Sequence, residues 1–210
     1  FEDMPGLTFP IKHWELMNEP SFQDMYFQGT PAEYVEVLKI TSQAVKEADP
    51  EALIVQGGMA GMMKSCTDFY QGVFDAGGAA YMDIMNMHSI GHGEHLNIPA
   101  FKQFLAENDN TDKPIWVTEV QYQQSYQTQG YSNEDYADVL SRSYIFALAH
   151  GVDKLFYVNL QMPPSLKAGQ EVPVSEEAAI FTDSGNESAL FRVHVTIANL
   201  LGGLRDDDTV

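Results

Sequence analysis

Short apolar runs alternate along this chain with longer segments whose apolar residues recur every three or four positions. The runs Ile11–Asn18, Ala52–Gln56, Met82–His88, Ile115–Glu119 and Lys154–Leu160 read as strands. The intervening segments read as helices with recognisable ends. Thr30-Pro31-Ala32-Glu33 opens the first, with Thr30 suited to the N-cap, Pro31 to N1 and Glu33 to N3 of a capping box. Tyr34, Val37, Leu38, Thr41, Ala44, Val45 and Ala48 keep helical spacing until Asp49-Pro50 ends it. Further helices are predicted over Ser65–Ala76, stopped by Gly77-Gly78, and over Ile98–Asn108. Another runs from a Ser132 cap to His150 with Gly151 as its C′ residue, and the last covers Phe191–Leu201. A Pro-rich loop spans Gln161–Ser175.

Five strands strictly alternating with five helices imply a parallel sheet with helices on its faces. No internal boundary interrupts the series, so 1–210 reads as a single domain. Five units do not close an eightfold barrel, which takes about 250 residues. Two architectures fit: an open doubly wound domain, or the C-terminal part of a barrel whose first three units are absent.

Composition narrows the partners. The chain carries 11 basic and 30 acidic residues, a net charge of −19, which argues against nucleic-acid backbones and anionic membranes as partners. No stretch approaches the roughly 20 apolar residues of a membrane span. Cys66 is the one cysteine, so no intramolecular disulfide forms. The chain opens at Phe1 without a charged-then-apolar leader, which points to a processed, trimmed or partial chain and leaves the compartment illegible.

The candidate chemistry sits at two strand ends. Trp14-Glu15-Leu16-Met17-Asn18-Glu19-Pro20 and Pro114-Ile115-Trp116-Val117-Thr118-Glu119 each close an apolar run with a carboxylate. In α/β barrels the C-terminal strand ends carry the active site. Two carboxylates there are the minimum apparatus for cleaving a glycosidic bond, one giving a proton to the leaving oxygen and the other attacking the anomeric carbon or activating water. Strand parity adds an expectation. If Glu119 faces inward, so do Val117 and Ile115, and Trp116 faces the helices; Glu19 likewise shares a face with Met17, Glu15 and His13. An inward Glu15 is costly unless hydrogen-bonded, which favours a polar barrel end. Asn18 reaches a ligand only if the strand end bulges or twists. His88, His92, Glu94 and His95 form a rival constellation with donors for zinc, although Gly91 and Gly93 speak against a helix there. Tyr122, Tyr126 and Tyr131 follow the fourth strand and offer rings for stacking on sugars.

These segments resemble the clan A glycoside hydrolases, the retaining (β/α)8 group, and are most similar to family 39 and its relatives. The segment ending in Asn18-Glu19-Pro20 resembles the family's fourth-strand motif, and the one ending in Thr118-Glu119 its seventh-strand motif. Ala48-Asp49-Pro50-Glu51-Ala52 and Gln56-Gly57-Gly58 resemble the passage into strand five, and the similarity continues through Ala149-His150-Gly151-Val152-Asp153-Lys154. The 100 residues between Glu19 and Glu119 fit strands four and seven.

The resemblance implies that the chain is the C-terminal five βα units of a TIM barrel. It implies Glu19 as acid/base and Glu119 as nucleophile of a retaining glycosidase acting on β-linked oligosaccharide or polysaccharide. Asn18, His88, Tyr122 and Tyr157 would contact substrate, no metal or organic cofactor would be needed, and the missing N-terminal barrel segment or another chain would cover the open sheet edge. Two departures stand out. Ile90 replaces the tyrosine that usually hydrogen-bonds the nucleophile, and Met17 replaces the tryptophan common before Asn-Glu. They keep a second reading open, a catalytically impaired carbohydrate-binding protein on the same fold. The His88–His95 loop keeps a third, a zinc-dependent barrel hydrolase.

Overall fold

A computed structural model describes residues 9–22, 25–90, 95–121, 129–158, 179–181 and 185–201. The expected Gln161–Ser175 loop, Tyr122, Tyr126, His92 and Glu94 lie outside the described residues. The chain divides into two compact units. The first comprises residues 1–88, 97–119 and 152–154, and the second 89–96, 120–151 and 155–210.

In the first unit, β1 (His13–Glu15) pairs in parallel with β2 (Leu53–Val55), with His13 opposite Leu53 and Glu15 opposite Val55. Parallel bridges Val55–Ile84 and Met59–Met87 carry the series to β3 (Met85–Ile90). The remaining strands, β4 (Ile115–Gln121) and β5 (Lys154–Tyr157), follow in the order β3-β4-β5; β4 belongs to this unit up to Glu119 and β5 only at Lys154. The Asp153 N–H donates to the Ile115 carbonyl at 2.9 Å, and Asp153 Oδ2 accepts the Ile115 N–H at 3.0 Å. Among the described residues three α-helices belong to this unit: α1 (Pro31–Ala48), α2 (Lys64–Asp75) and α3 (Ile98–Glu107). The capping box read at Thr30 and Glu33 is present. A ring series Phe27, Tyr34, Phe69, Tyr70, Phe74 and Phe104 links α1, α2 and α3, with successive centroids from Tyr34 to Phe104 between 5.5 and 6.3 Å apart.

Alternation sorts the strand residues of this unit into two faces. Ile54, Met85, Met87, Ile115 and Val117 point one way and are all buried and apolar. The opposite face carries an apolar floor of Val55, Ile84 and Trp116, then the polar side chains Glu15, Asn86, His88 and Thr118 at higher register. Trp116 stacks on His13 at 4.8 Å with Lys154 Nζ 4.4 Å over its ring. This corrects the parity expectation: Trp116 shares the polar face with Thr118, and Ile115 and Val117 lie on the apolar one. The expectation took Glu119 as the marker of the inward face, whereas the alternation follows Trp116 and Thr118.

The strand bounds also differ from those expected. β1 ends at Glu15 because Met17 and Glu19 take positive φ values of 65° and 42°, which no extended strand accommodates. β3 starts at Met85, after a 3₁₀ turn over Gly78–Tyr81; the carbonyls of Ala79 in the turn and of Met82 just after it accept from Lys113 Nζ.

In the second unit, α4 (Asn133–Ala149) packs against α5 (Ala189–Leu201). Ser132 and Asp135 form the capping box of α4. Asn133 ties the two helices together: its Oδ1 accepts the Ala189 N–H at 2.7 Å, and its Nδ2 donates to the Ala179 carbonyl at 3.3 Å. The Tyr144 hydroxyl donates to the Leu155 carbonyl at 3.3 Å and lies 3.2 Å from His194 Nδ1.

Candidate active site

The site is built entirely within the first unit. After β1 the backbone turns at Met17 and Glu19, the two positive-φ residues. Such positions cost energy for side-chain-bearing residues and persist where surrounding contacts over-determine them. Here the Tyr34 hydroxyl donates to the Leu16 carbonyl at 3.0 Å, and the Leu16 N–H donates to the Val55 carbonyl at 3.3 Å. Gly57 lies tight beneath the turn: a Cβ there would stand 2.4 Å from the Leu16 carbonyl oxygen. The turn buries Glu19, 4% exposed, and leaves Asn18 exposed.

His88, 2% exposed, is the hub. Its Nδ1 lies 2.8 Å from Glu19 Oε1 and 3.7 Å from Glu119 Oε2. Its Nε2 lies 3.0 Å from Thr118 Oγ1 and 3.6 Å from Glu15 Oε1. Glu15 accepts the Gly58 N–H at 3.1 Å and is exposed to solvent, so it carries no large desolvation cost on this face. Gly58 leaves room for the imidazole; a Cβ at that position would stand 1.9 Å from Nε2. Beneath the ring, Asn86 bonds both Thr118 and the Gln56 backbone.

The charges are strongly coupled. Burial pushes the His88 imidazole down, but the nearby carboxylates of Glu15, Glu19 and Glu119 outweigh it and raise its pKa to about 9. Burial raises the Glu119 carboxyl, the charge of His88 acts against that, and Glu19 and Glu15 add to the rise. Glu19, His88 and Glu119 each bring a donor atom within 4.8 Å of the others, so this trio is also the group among the described residues that offers ligands to a divalent ion.

Of the residues anticipated from sequence, the structure brings Glu19, Glu119 and His88 together and sets Asn18 beside Glu19 in the chain, on the surface. Tyr157 is buried at the end of β5, in the second unit. His95 also belongs to that unit, edge-on to Phe146 at 4.8 Å. Ile90 ends β3, and its side chain is not among those described. The sequence reading did not single out Gly58, Asn86 or Thr118 as site residues. The signal was the alternation Met85-Asn86-Met87-His88, which puts a polar amide directly below a histidine on one face.

No protein-family profile matches the chain, and no curated protein does. Solved structures match it with high coverage. A family 39 glycoside hydrolase from Bacteroides cellulosilyticus WH2 is 21% identical, with a TM-score of 0.67 over 91% of this chain and 41% of that one. A glucosidase from Croceicoccus marinus is 20% identical, with a TM-score of 0.69 over 89% and 41%. A family 51 α-L-arabinofuranosidase from Bifidobacterium longum is 16% identical, with a TM-score of 0.62 over 92% and 45%. The chain therefore has the fold of part of a (β/α)8 glycoside hydrolase barrel and spans less than half the length of these structures. The clan A resemblance read from the strand-end motifs is borne out at the level of fold.

Proposed function

We propose that this chain supplies the acid/base and nucleophile of a retaining glycosidase acting on β-linked glycans. The carrying observation is the convergence of Glu19 and Glu119 on His88, with donor oxygens within 4.8 Å. Oxygens this close are compatible with retention, for which carboxyl groups stand about 5 to 5.5 Å apart. In the first step Glu119 attacks the anomeric carbon as Glu19 protonates the leaving oxygen, giving a covalent glycosyl-enzyme. In the second, Glu19 takes a proton from water, which attacks the same carbon and releases Glu119. The electrostatics favour complementary charge states. Ionised Glu19 is one of the groups that raise Glu119, so a proton on Glu19 makes Glu119 easier to ionise. Asn18, exposed and without a hydrogen bond among the described residues, is available to a sugar hydroxyl. The reaction needs no cofactor.

Aryl β-glycosides test the reading, with Glu119→Gln as control and a slow 2-fluoro-glycoside as a trap. Turnover lost in the variant, and a sugar adduct on Glu119 by mass spectrometry, are expected. Equal rates for both proteins would overturn the assignment. Ile90, where the resemblance implies a tyrosine, favours the second reading of a carbohydrate-binding protein; glycan binding by calorimetry without turnover would support it.

The open edge supports a proposal about partners. Among the described residues β1 has a strand neighbour on one side only. A groove of about 790 Å³ lined by Ile11, Trp14, Ile40, Ala44, Val45 and Ala48 runs beside it. A further βα segment, its strand against β1 and its helix in the groove, would cover both. Co-purification with such a segment, and lower aggregation by light scattering when it is present, are the expected results.

A further inference from the structure

The hydrogen bonds around His88 run in one direction, and the direction is set at Asn86. Asn86 Oδ1 accepts the Thr118 backbone N–H at 3.1 Å. The other end of the amide, Nδ2, faces the Gln56 carbonyl at 3.1 Å and Thr118 Oγ1 at 2.7 Å. A backbone N–H on one side and a backbone carbonyl on the other independently demand the same amide orientation, so Nδ2 donates to Oγ1. The Thr118 hydroxyl has then accepted from Asn86, and its own proton points to its remaining neighbour, His88 Nε2, at 3.0 Å. Nε2 of an uncharged imidazole must be the acceptor in that contact. Nδ1 therefore carries the proton and donates to Glu19 Oε1 at 2.8 Å. The opposite tautomer would set the Nδ1 lone pair against a carboxylate oxygen and the Nε2 proton against a hydroxyl already turned the other way.

We propose that Asn86 and Thr118 are positioning residues that fix the tautomer of His88, with the proton of the uncharged ring on Nδ1 against Glu19. A consequence, resting on the glycosidase reading, is that Glu19 Oε1 is held as an acceptor. The proton that Glu19 gives to the leaving group then sits on Oε2. Of the charged groups facing His88, Glu19 and Glu119 lie against Nδ1. Glu15 Oε1 faces Nε2 and favours a proton there, but at 3.6 Å it is beyond hydrogen-bond length, whereas Thr118 Oγ1 stands at 3.0 Å and sets the tautomer of the uncharged ring.

The test is ¹⁵N NMR of the protein labelled at histidine, with His88 assigned by its loss in His88→Gln and spectra followed to well above pH 9, where the ring has lost its charge. A pyrrole-type signal on Nδ1 and a pyridine-type signal on Nε2 are expected. Thr118→Val removes the hydroxyl and should move Nε2 downfield, as for a ring nitrogen that has lost its donor, and Thr118→Ser should restore the wild-type shift. A pyrrole-type Nε2 in the wild-type protein, or an Nε2 unmoved in Thr118→Val, would overturn the proposal. The wild-type spectrum decides even if the valine variant does not fold. In the glycosidase assay Thr118→Val should lower kcat at least about 10-fold on the alkaline side, as His88 loses its charge through about pH 9, with KM within about twofold, and Thr118→Ser should recover it. The predicted spectrum without any turnover in the wild-type protein would refute the glycosidase reading and leave the tautomer assignment standing.

Discussion

Gly58→Ala gives a decisive test of how tightly His88 is held. A methyl group at that position would lie 1.9 Å from Nε2 and 2.3 Å from Cδ2 and Cε1, against an ordinary contact near 3.4 to 4 Å. The ring must retreat by more than an ångström or the β2 end must shift. The ring has no free direction, because Nδ1 is bonded to Glu19 at 2.8 Å and Nε2 to Thr118 at 3.0 Å. Retreat breaks both. A hydrogen bond to a charged group contributes about 1.5–3 kcal/mol and a neutral one about 0.5–1.5, so the loss should total about 2–4.5 kcal/mol. Overpacking alone, at about 1–3 kcal/mol, falls in a similar range. Urea denaturation followed by intrinsic fluorescence measures the change. The midpoint should fall at unchanged slope, and His88→Ala in the Gly58→Ala background should recover part of the loss because the clash is gone. A destabilisation under about 0.5 kcal/mol with the His88 resonances unmoved would refute the packing argument.

Other outcomes follow from the same geometry. The His88 pKa of about 9 stands above its ordinary 6.5, so its contribution to stability is full below pH 6.5 and is lost as pH rises through about 9. Denaturation midpoints should decline across that window, and His88→Gln should flatten the decline; a rise with pH would contradict it. Tyr34→Phe removes the bond that holds the Leu16 carbonyl at the entrance to the Met17–Glu19 turn and should cost about 1–2 kcal/mol, read by thermal denaturation. Loss of turnover in excess of that destabilisation would tie the turn to the orientation of Glu19. In the second unit, Asn133→Ala deletes the bonds to Ala189 and Ala179 and should cost about 1–2 kcal/mol, with faster hydrogen exchange at the start of α5. Unchanged exchange there would show that α5 is anchored by packing alone.

The helix ends were legible because capping chemistry is local. Thr30 with Glu33 and Ser132 with Asp135 declare themselves within four residues. The order of strands and helices was legible for the same reason. The turn at Met17 and Glu19 was not, since neither residue favours positive φ, and it is held by tertiary contacts, among them those of Tyr34, Gly57 and His88. Glu19 and Glu119 were found from their place at strand ends, yet the face assignment built on Glu119 was inverted. Trp116 would have corrected it had its alternation with Thr118 been matched to Asn86 and His88. Glu15 was recognised as an anomaly, and its partner, a glycine N–H 43 residues on, is visible only once β1 and β2 are paired.

The two-faced alternation of β3 and β4 has a consequence for mutational tolerance. Met85, Met87, Ile115 and Val117 share their strands with Asn86, His88 and Thr118 but answer to a different selection. Saturation mutagenesis read by abundance should show a period-two stripe at the methionine, isoleucine and valine positions, tolerant of other apolar residues of similar volume. The same library read by ligand binding or turnover should show the complementary stripe, tolerant of almost nothing. A protein arranged this way can change what it recognises by exchanging every second residue of a strand, with little effect on whether the strand forms.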